Sequence, residues 1–191
     1  MGVEFELKFL AEEAVFEALK KETDRWTAYD MATTYYDTPQ RHLRTRYWTL
    51  RRRFENGVSV CTLKTPAGGL GRNEFEVECE NIHDAIPLLY AQGAPEELLK
   101  FTADGIEEVC GAKFRRLAGR VDLKGTEVEL ALDQGVLTGG GKELPFVEVE
   151  VELKSGDPNT AVAYANALAH AFHLRPEPKS KYKRALDLAT M

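Results

Sequence analysis

Residues 3–10, VEFELKFL, alternate apolar and charged side chains. Glu4, Glu6 and Lys8 therefore fall on one face of a strand, and Val3, Phe5, Leu7 and Phe9 on the other. Acids recur in the same rhythm in RNEFEVECE, with Glu74, Glu76, Glu78 and Glu80, and in PFVEVEVELK, with Glu148, Glu150 and Glu152 followed by Lys154. A third kind of face is basic. In TLRRRFENGVSVCTLK the Asn56-Gly57 pair signals a two-residue hairpin turn. That turn sets Thr49 opposite Lys64, Arg51 opposite Thr62 and Arg53 opposite Val60, so Arg51, Arg53 and Lys64 share a face, with Leu50, Cys61 and Leu63 behind them. Rows of carboxylates suit a hard divalent cation such as Mg²⁺ or Mn²⁺. Rows of arginine and lysine suit phosphate oxygens, which arginine grips with two parallel bonds. Together they are the parts of metal-assisted phosphoryl transfer: a cation clamp, a basic clamp and an oriented water.

The elements must bring these faces together. Any one such strand suits an antiparallel sheet with one wet face. Here, however, the charges are sorted strand by strand, and like charges along one face repel unless counter-ions sit between them. About eight strands with charged residues on the same side would close into a barrel whose charged faces line the interior. The expected fold is therefore α+β: an eight-stranded, closed antiparallel β-barrel with a charged interior and helices packed outside. Residues 11–23 and 83–102 read as helical, the second interrupted by Pro87, Gly93 and Pro95. Residues 157–174 form a further helix, started by Asp157 as N-cap and Pro158 in the first turn. YYDTPQ reads as a turn, Lys124-Gly125 as a turn between two strands, TPAGGLG as a flexible hairpin loop, and RPEPKSKYKRAL as a proline-rich connection. Arg52 is the one charge on the apolar face of its hairpin, near enough to the turn to reach water.

Composition narrows the partners. The 191 residues, with a formal net charge of −6, suit a single domain over 1–191 and argue against general nucleic-acid binding. No apolar run of about 18 residues exists to span a membrane, and no secretory signal pattern opens the chain, so a cytoplasmic location is expected. Cys61, Cys79 and Cys110 match neither a disulfide framework nor zinc spacing and read as small hydrophobes. His170 and His173 read as helix-terminal surface residues, and Trp26, Trp48, Tyr35 and Tyr36 as packing groups.

The Glu-x-Glu-x-Lys of VEFELK resembles the signature of the CYTH superfamily, the triphosphate tunnel metalloenzymes. In chain order, YYDTP, LRRR before ENG, Lys64 in TLK, RNEFEV, KFRR, ELALDQG, EVEVELKSGD and SKYKR extend the resemblance over nearly the whole chain, nearest to the bacterial inorganic triphosphatases. The helical companion domain common in that family is expected to be absent. The resemblance implies the tunnel fold and metal-dependent hydrolysis of inorganic triphosphate to pyrophosphate and phosphate. It implies that Glu4 and Glu6 bind metal with Glu148, Glu150 and Glu152, and that Glu4, Glu6, Lys8 and Glu150 form the catalytic set. It implies that Lys8, Arg51, Arg53, Lys64, Arg116 and Lys181 grip the phosphates, and that Arg72, Glu74, Glu76, Glu129 and Asp133 belong to the tunnel wall. Arg116 is chosen over Arg115, although the aromatic that usually follows these arginines is missing. The implied cofactor is Mg²⁺ or Mn²⁺ and the implied partner a small triphosphate, with no nucleic acid and no membrane; a homodimer is compatible with the family. Two alternatives stay open: nucleoside or thiamine triphosphate hydrolysis or class IV-type adenylyl cyclase chemistry on the same scaffold, and a non-catalytic polyphosphate-binding module.

Overall fold

The structure, a computed structural model, describes residues 5–67 and 72–190. Glu4 and the glycines at 68–71 lie outside the described residues. Nine strands, β1 (Glu6–Leu10), β2 (Trp26–Asp37), β3 (Thr49–Glu55), β4 (Val58–Pro66), β5 (Arg72–Glu78), β6 (Glu107–Asp122), β7 (Glu127–Gly139), β8 (Lys142–Ser155) and β9 (Arg175–Pro176), form one sheet in the order β5-β4-β3-β2-β6-β7-β8-β1-β9. Every neighbouring pair is antiparallel.

Three hairpins fix the registers. Asn56-Gly57, Lys124-Gly125 and Gly140-Gly141 all have positive φ at both turn residues, the twist that matches flanking strands. The β3–β4 ladder then runs Glu55 to Val58, Arg53 to Val60, Arg51 to Thr62 and Thr49 to Lys64, as the turn dictates. Behind it Leu50, Cys61 and Leu63 are fully buried.

The expected closed, eight-stranded barrel is corrected in two respects. The sheet has nine strands, and among the described residues its edge strands β5 and β9 are not paired with each other. β9 is only two residues long and ends on Pro176, which has no N–H to donate; β5 carries alternating glutamates that discourage a further strand. The sheet is instead curled, since side chains from β1 at one side and β5 at the other line the same cavity. YYDTPQ is also not all turn. β2 continues through Asp37, whose buried carboxylate accepts hydrogen bonds from the backbone N–H of Thr38, Leu43 and Arg44 and so starts α2 (His42–Thr45).

Two helical layers cover the outer, apolar face. A segment of two 3₁₀ turns flanking α1 (Phe16–Leu19) packs with α5 (Pro158–Ala171) over Phe9, Leu130, Leu132, Val149 and Val151. Asp157 caps α5 by accepting from Asn159 N and Thr160 N. α3 (Ile82–Ala91) and α4 (Glu97–Thr102) cover Leu50, Leu63 and Phe75.

The last helix, α6 (Lys181–Thr190), stands where a connection was expected, and it does not lie outside. Ala185, with Tyr182 and Leu186 beside it, packs on Met31, Tyr35, Ala112, Phe114, Leu137 and Phe146, which share the inner face of the sheet with the charged rows. That face is thus charged at one end and apolar at the other. Gly139 permits the contact, because a Cβ there would come within 2.2 Å of Ala185 O.

Candidate active site

One cavity of about 740 Å³ occupies the concave side of the sheet and reaches outward between α2 and α6. Ten basic and four acidic side chains line it, a local excess of positive charge in a chain of formal net charge −6.

The basic wall is built by strand alternation. Arg51 and Arg53 project from β3, Lys64 from β4, Arg72 from β5, Lys8 from β1 and Arg116 from β6. Arg116 faces the cavity, and Arg115, next along the strand, faces the opposite side. Arg53 donates to Thr33 Oγ1 at 3.3 Å and to Glu55 at 3.2 Å. Burial strips hydration from its guanidinium, Arg51 and Arg116 add like charge, and its pKa is lowered from the usual value. Arg51 lies 3.6 Å and Lys64 3.3 Å from Glu74 on β5. The Nε of Arg51 is buried with no hydrogen-bond partner among the described residues. Glu76 accepts from Thr62 and, like Glu74, stands beside the wall and does not line the cavity.

The acids divide into two groups. Asp133 on β7 and Glu148 and Glu150 on β8 place oxygen atoms within 4.8 Å of one another, a spacing that could hold a cation. A cation of the protein's own is already there: Lys181 Nζ lies 2.6 Å from Glu148, 2.6 Å from Glu150 and 2.8 Å from Asp133. Arg116 forks onto Asp133 at 2.8 and 2.7 Å and also donates to Glu150, and Arg184 donates to Glu148. Three carboxylates and three cations balance. Burial opposes ionisation of Glu150, but Lys181 and Arg116 outweigh it and hold its carboxyl well below the usual range. Burial pushes Glu148 up, to about 7. Lys181 is itself only 8% exposed and lies over the Phe114 and Phe146 rings.

The second group is a row across three strands. Glu6 on β1 pairs with Glu152 on β8, and Glu152 with Glu129 on β7. Their side chains remain 30%, 24% and 19% exposed. Lys8 approaches Glu6 to 3.5 Å, and Lys154 lies 2.7 Å from Glu152 and 3.8 Å from Glu129. Glu4, two residues before Glu6, is outside the described residues.

Sequence reasoning placed Lys154 on the charged face without a role, and missed Arg184 and the outer cavity residues Arg44, Tyr47, Lys179 and Lys183. A signal existed for those on α6: Tyr182, Ala185, Leu186 and Ala189 recur with helical spacing, which carries Lys181 and Arg184 toward the sheet.

Known proteins share this architecture. A protein of Hippeastrum, described as a candidate adenylyl cyclase with a dominant triphosphatase activity, superposes with a TM-score of 0.64 at 16% identity, over 98% of this chain and 96% of that one. A Pyrococcus horikoshii protein gives 0.62 at 21% identity, over 97% and 99%. A candidate adenylate cyclase of Bacillus halodurans gives 0.60 at 17% identity, over 94% and 96%. These likenesses concern the fold. In sequence, an inorganic triphosphatase of Haemophilus influenzae is 26% identical over 171 residues, 84% of this chain and 46% of that protein, so the chain spans about half the length of that relative. The profile of the CYTH domain matches residues 2–186, and the chain belongs to the CYTH domain family.

Proposed function

We propose that the protein is a metal-dependent triphosphatase that hydrolyses inorganic triphosphate to pyrophosphate and phosphate within the curled sheet. The observation that carries the reading is the clustering of Arg51, Arg53 and Arg116 in one cavity, with the Arg53 guanidinium destabilised by burial and like charge and an Arg51 donor unmet. An anion with many oxygens relieves that repulsion, and a linear triphosphate presents them in a row. The name of the Haemophilus influenzae relative supports the same substrate.

The donor set fits a hard divalent cation. Glu6 and Glu152 are directly opposed across β1 and β8, an arrangement of like charges that a cation stabilises, and carboxylate oxygens are the ligands Mg²⁺ and Mn²⁺ prefer. Glu6 and Glu152 would hold it, with Glu4 beside them in sequence. Asp133, Glu148 and Glu150 already have their charge met by Lys181, Arg116 and Arg184. When bound, the cation would neutralise phosphate oxygens and lower the pKa of a water. The protein's own groups do the rest. Arg51, Arg53 and Lys64 orient the phosphate chain and stabilise charge that grows on the leaving pyrophosphate. Lys8, opposite Glu150 in the ladder and beside Glu6, lines the same cavity and would contact a phosphate oxygen. Asp133 and Glu150 fix the Arg116 fork so that it needs no rearrangement during the reaction.

Purified protein tested with Mg²⁺ or Mn²⁺ on inorganic triphosphate, ATP, thiamine triphosphate and long-chain polyphosphate decides the matter. Phosphate released from triphosphate and abolished by a chelator is the expected result. Cyclic AMP from ATP without phosphate release from triphosphate overturns it, and tight polyphosphate binding with no turnover would make the chain a binding module.

A further inference from the structure

At the outer end of the cavity one basic side chain has a fixed position and unspent donors. α2 is only four residues long, yet both of its ends are held. At its start, Asp37 Oδ1 accepts from Thr38 N at 2.8 Å and Leu43 N at 3.0 Å, and Oδ2 from Arg44 N at 3.3 Å. At its end, Tyr47 N donates to Arg44 O at 3.0 Å and Trp48 N to Leu43 O at 2.9 Å, a Schellman motif whose Leu43 and Trp48 pack in one core cluster. The backbone of Arg44 is thus pinned from both sides. Its side chain turns back toward Asp37: Nε lies 3.9 Å from Oδ2, too far for a hydrogen bond but within reach of charge attraction. Burial raises the pKa of the Tyr182 phenol on α6, Asp37 adds to the rise and Arg44 opposes it, so the guanidinium also lies near that hydroxyl. Tyr182 and Arg44 line the cavity together. The Arg44 side chain is 21% exposed, and among the described residues none of its N–H groups makes a hydrogen bond. Its basic neighbours at this end, Lys179 and Lys183, already share Asp187, at 3.0 and 2.6 Å. A largely buried guanidinium with unmet donors, in a cavity already rich in positive charge, needs an anion.

We propose that Arg44 is a further substrate-binding residue, and Asp37 the positioning residue that aims it, and that Arg44 holds the phosphate of the triphosphate farthest from the acidic row; this role rests on the triphosphatase reading above. The strand register supplies the direction. The acidic row meets β6 near its end, where Arg120 pairs with Glu129, whereas Asp37 pairs with Glu107 at the start of β6. Arg44 therefore stands toward the opposite end of the strands from the cation. Both Asp37 oxygens are occupied by backbone N–H groups, so the carboxylate attracts the guanidinium without consuming its donors. The N–H groups at the start of α2 are spent in the same contacts, which leaves the side chain, not the helix end, to meet the ligand. A guanidinium held in place in advance loses little freedom when a phosphate binds. The phosphate it takes leaves as part of pyrophosphate, so Arg44 also retains the product.

The test uses the full chain with Arg44→Gln, Asp37→Asn and the double variant. In Arg44→Gln, KM for inorganic triphosphate is expected to rise about tenfold, the scale of one hydrogen bond to a charged group, while kcat falls by less than about twofold, because the contact is made equally in the ground state and the transition state. Inhibition by pyrophosphate should weaken in parallel. Asp37→Asn should raise KM by a smaller factor, and it should add nothing once Arg44 is gone, since it acts through that side chain. A purely structural role for Asp37 would instead lower the melting temperature and leave its effect on KM undiminished in the double variant. Triphosphate affinity, measured by titration calorimetry with metal chelated so that no turnover occurs, should fall about tenfold in Arg44→Gln. If KM and affinity match the wild type in Arg44→Gln while triphosphate is still hydrolysed, the role of Arg44 is overturned and the triphosphatase reading stands. If the wild type turns over no triphosphate, that reading fails, and affinity alone decides Arg44: equal or absent binding in wild type and Arg44→Gln sinks it.

Discussion

Arg53 brings a guanidinium into a wall that already holds Arg51 and Arg116, and it pairs with Glu55 at 3.2 Å. Such a group works against the empty fold and for the bound anion. Arg53→Met should therefore raise the melting temperature, because an apolar side chain of similar length replaces a buried, poorly compensated charge. The same change should lower kcat on triphosphate by about 100-fold, the loss typical of one preorganised donor. Thermal melting and phosphate release on the same sample check both halves. The cysteines give an independent check of burial. Burial pushes the Cys61 thiol up to about 11 and Cys110 to about 12, while Cys79 is only half-buried. A thiol reagent at pH 8 should modify one cysteine in the native protein and all three after denaturation. At this scale much was legible beforehand. A strict period of two and an Asn-Gly turn fix which face Arg51, Arg53 and Lys64 share. What alternation cannot give is the partner of each charge: that Glu148 and Glu150 both meet Lys181 depends on a helix 31 to 33 residues further along the chain.

Among the elements, α6 changes the picture most. It brings Lys181 to three carboxylates and Arg184 to a fourth contact, and its apolar side fills the uncharged end of the concave face. The sequence RPEPKSKYKRAL hid it, because Pro176 and Pro178 argue against helix just before its first turn, and its apolar stripe is short. β2 was hidden for a different reason. Its first half is mixed in polarity and its last three residues, Tyr35, Tyr36 and Asp37, are all buried, so no clean alternation marks it. Lys181→Met tests the role of α6. Removing the ammonium leaves Asp133, Glu148 and Glu150 facing Arg116 and Arg184, and loss of one partner from a buried ionic network costs about 3–5 kcal/mol. Urea unfolding should show that loss as a lower midpoint; an unchanged midpoint would mean that α6 does not hold the network in solution.

For the molecule as a whole, net charge and local charge point in opposite directions. The formal charge of −6 is that of an acidic protein, yet ten basic and four acidic side chains line the cavity. Sorted charges on separate strands were enough to infer that the sheet turns them toward one another. They were not enough to infer closure, because closure needs two edges with matching unpaired backbone, and a two-residue strand ending in proline opposite a glutamate-lined strand does not supply them. The central claim is that a triphosphate is hydrolysed here with a cation held by the acidic row. It is tested most directly by ³¹P NMR of inorganic triphosphate incubated with Mg²⁺ and either the wild type or Glu6→Gln, whose fold is verified by circular dichroism. The account predicts pyrophosphate and phosphate signals growing together with the wild type, and a rate at least about 100-fold lower with Glu6→Gln. Full-rate hydrolysis by Glu6→Gln, or triphosphate left intact by the wild type, would contradict it.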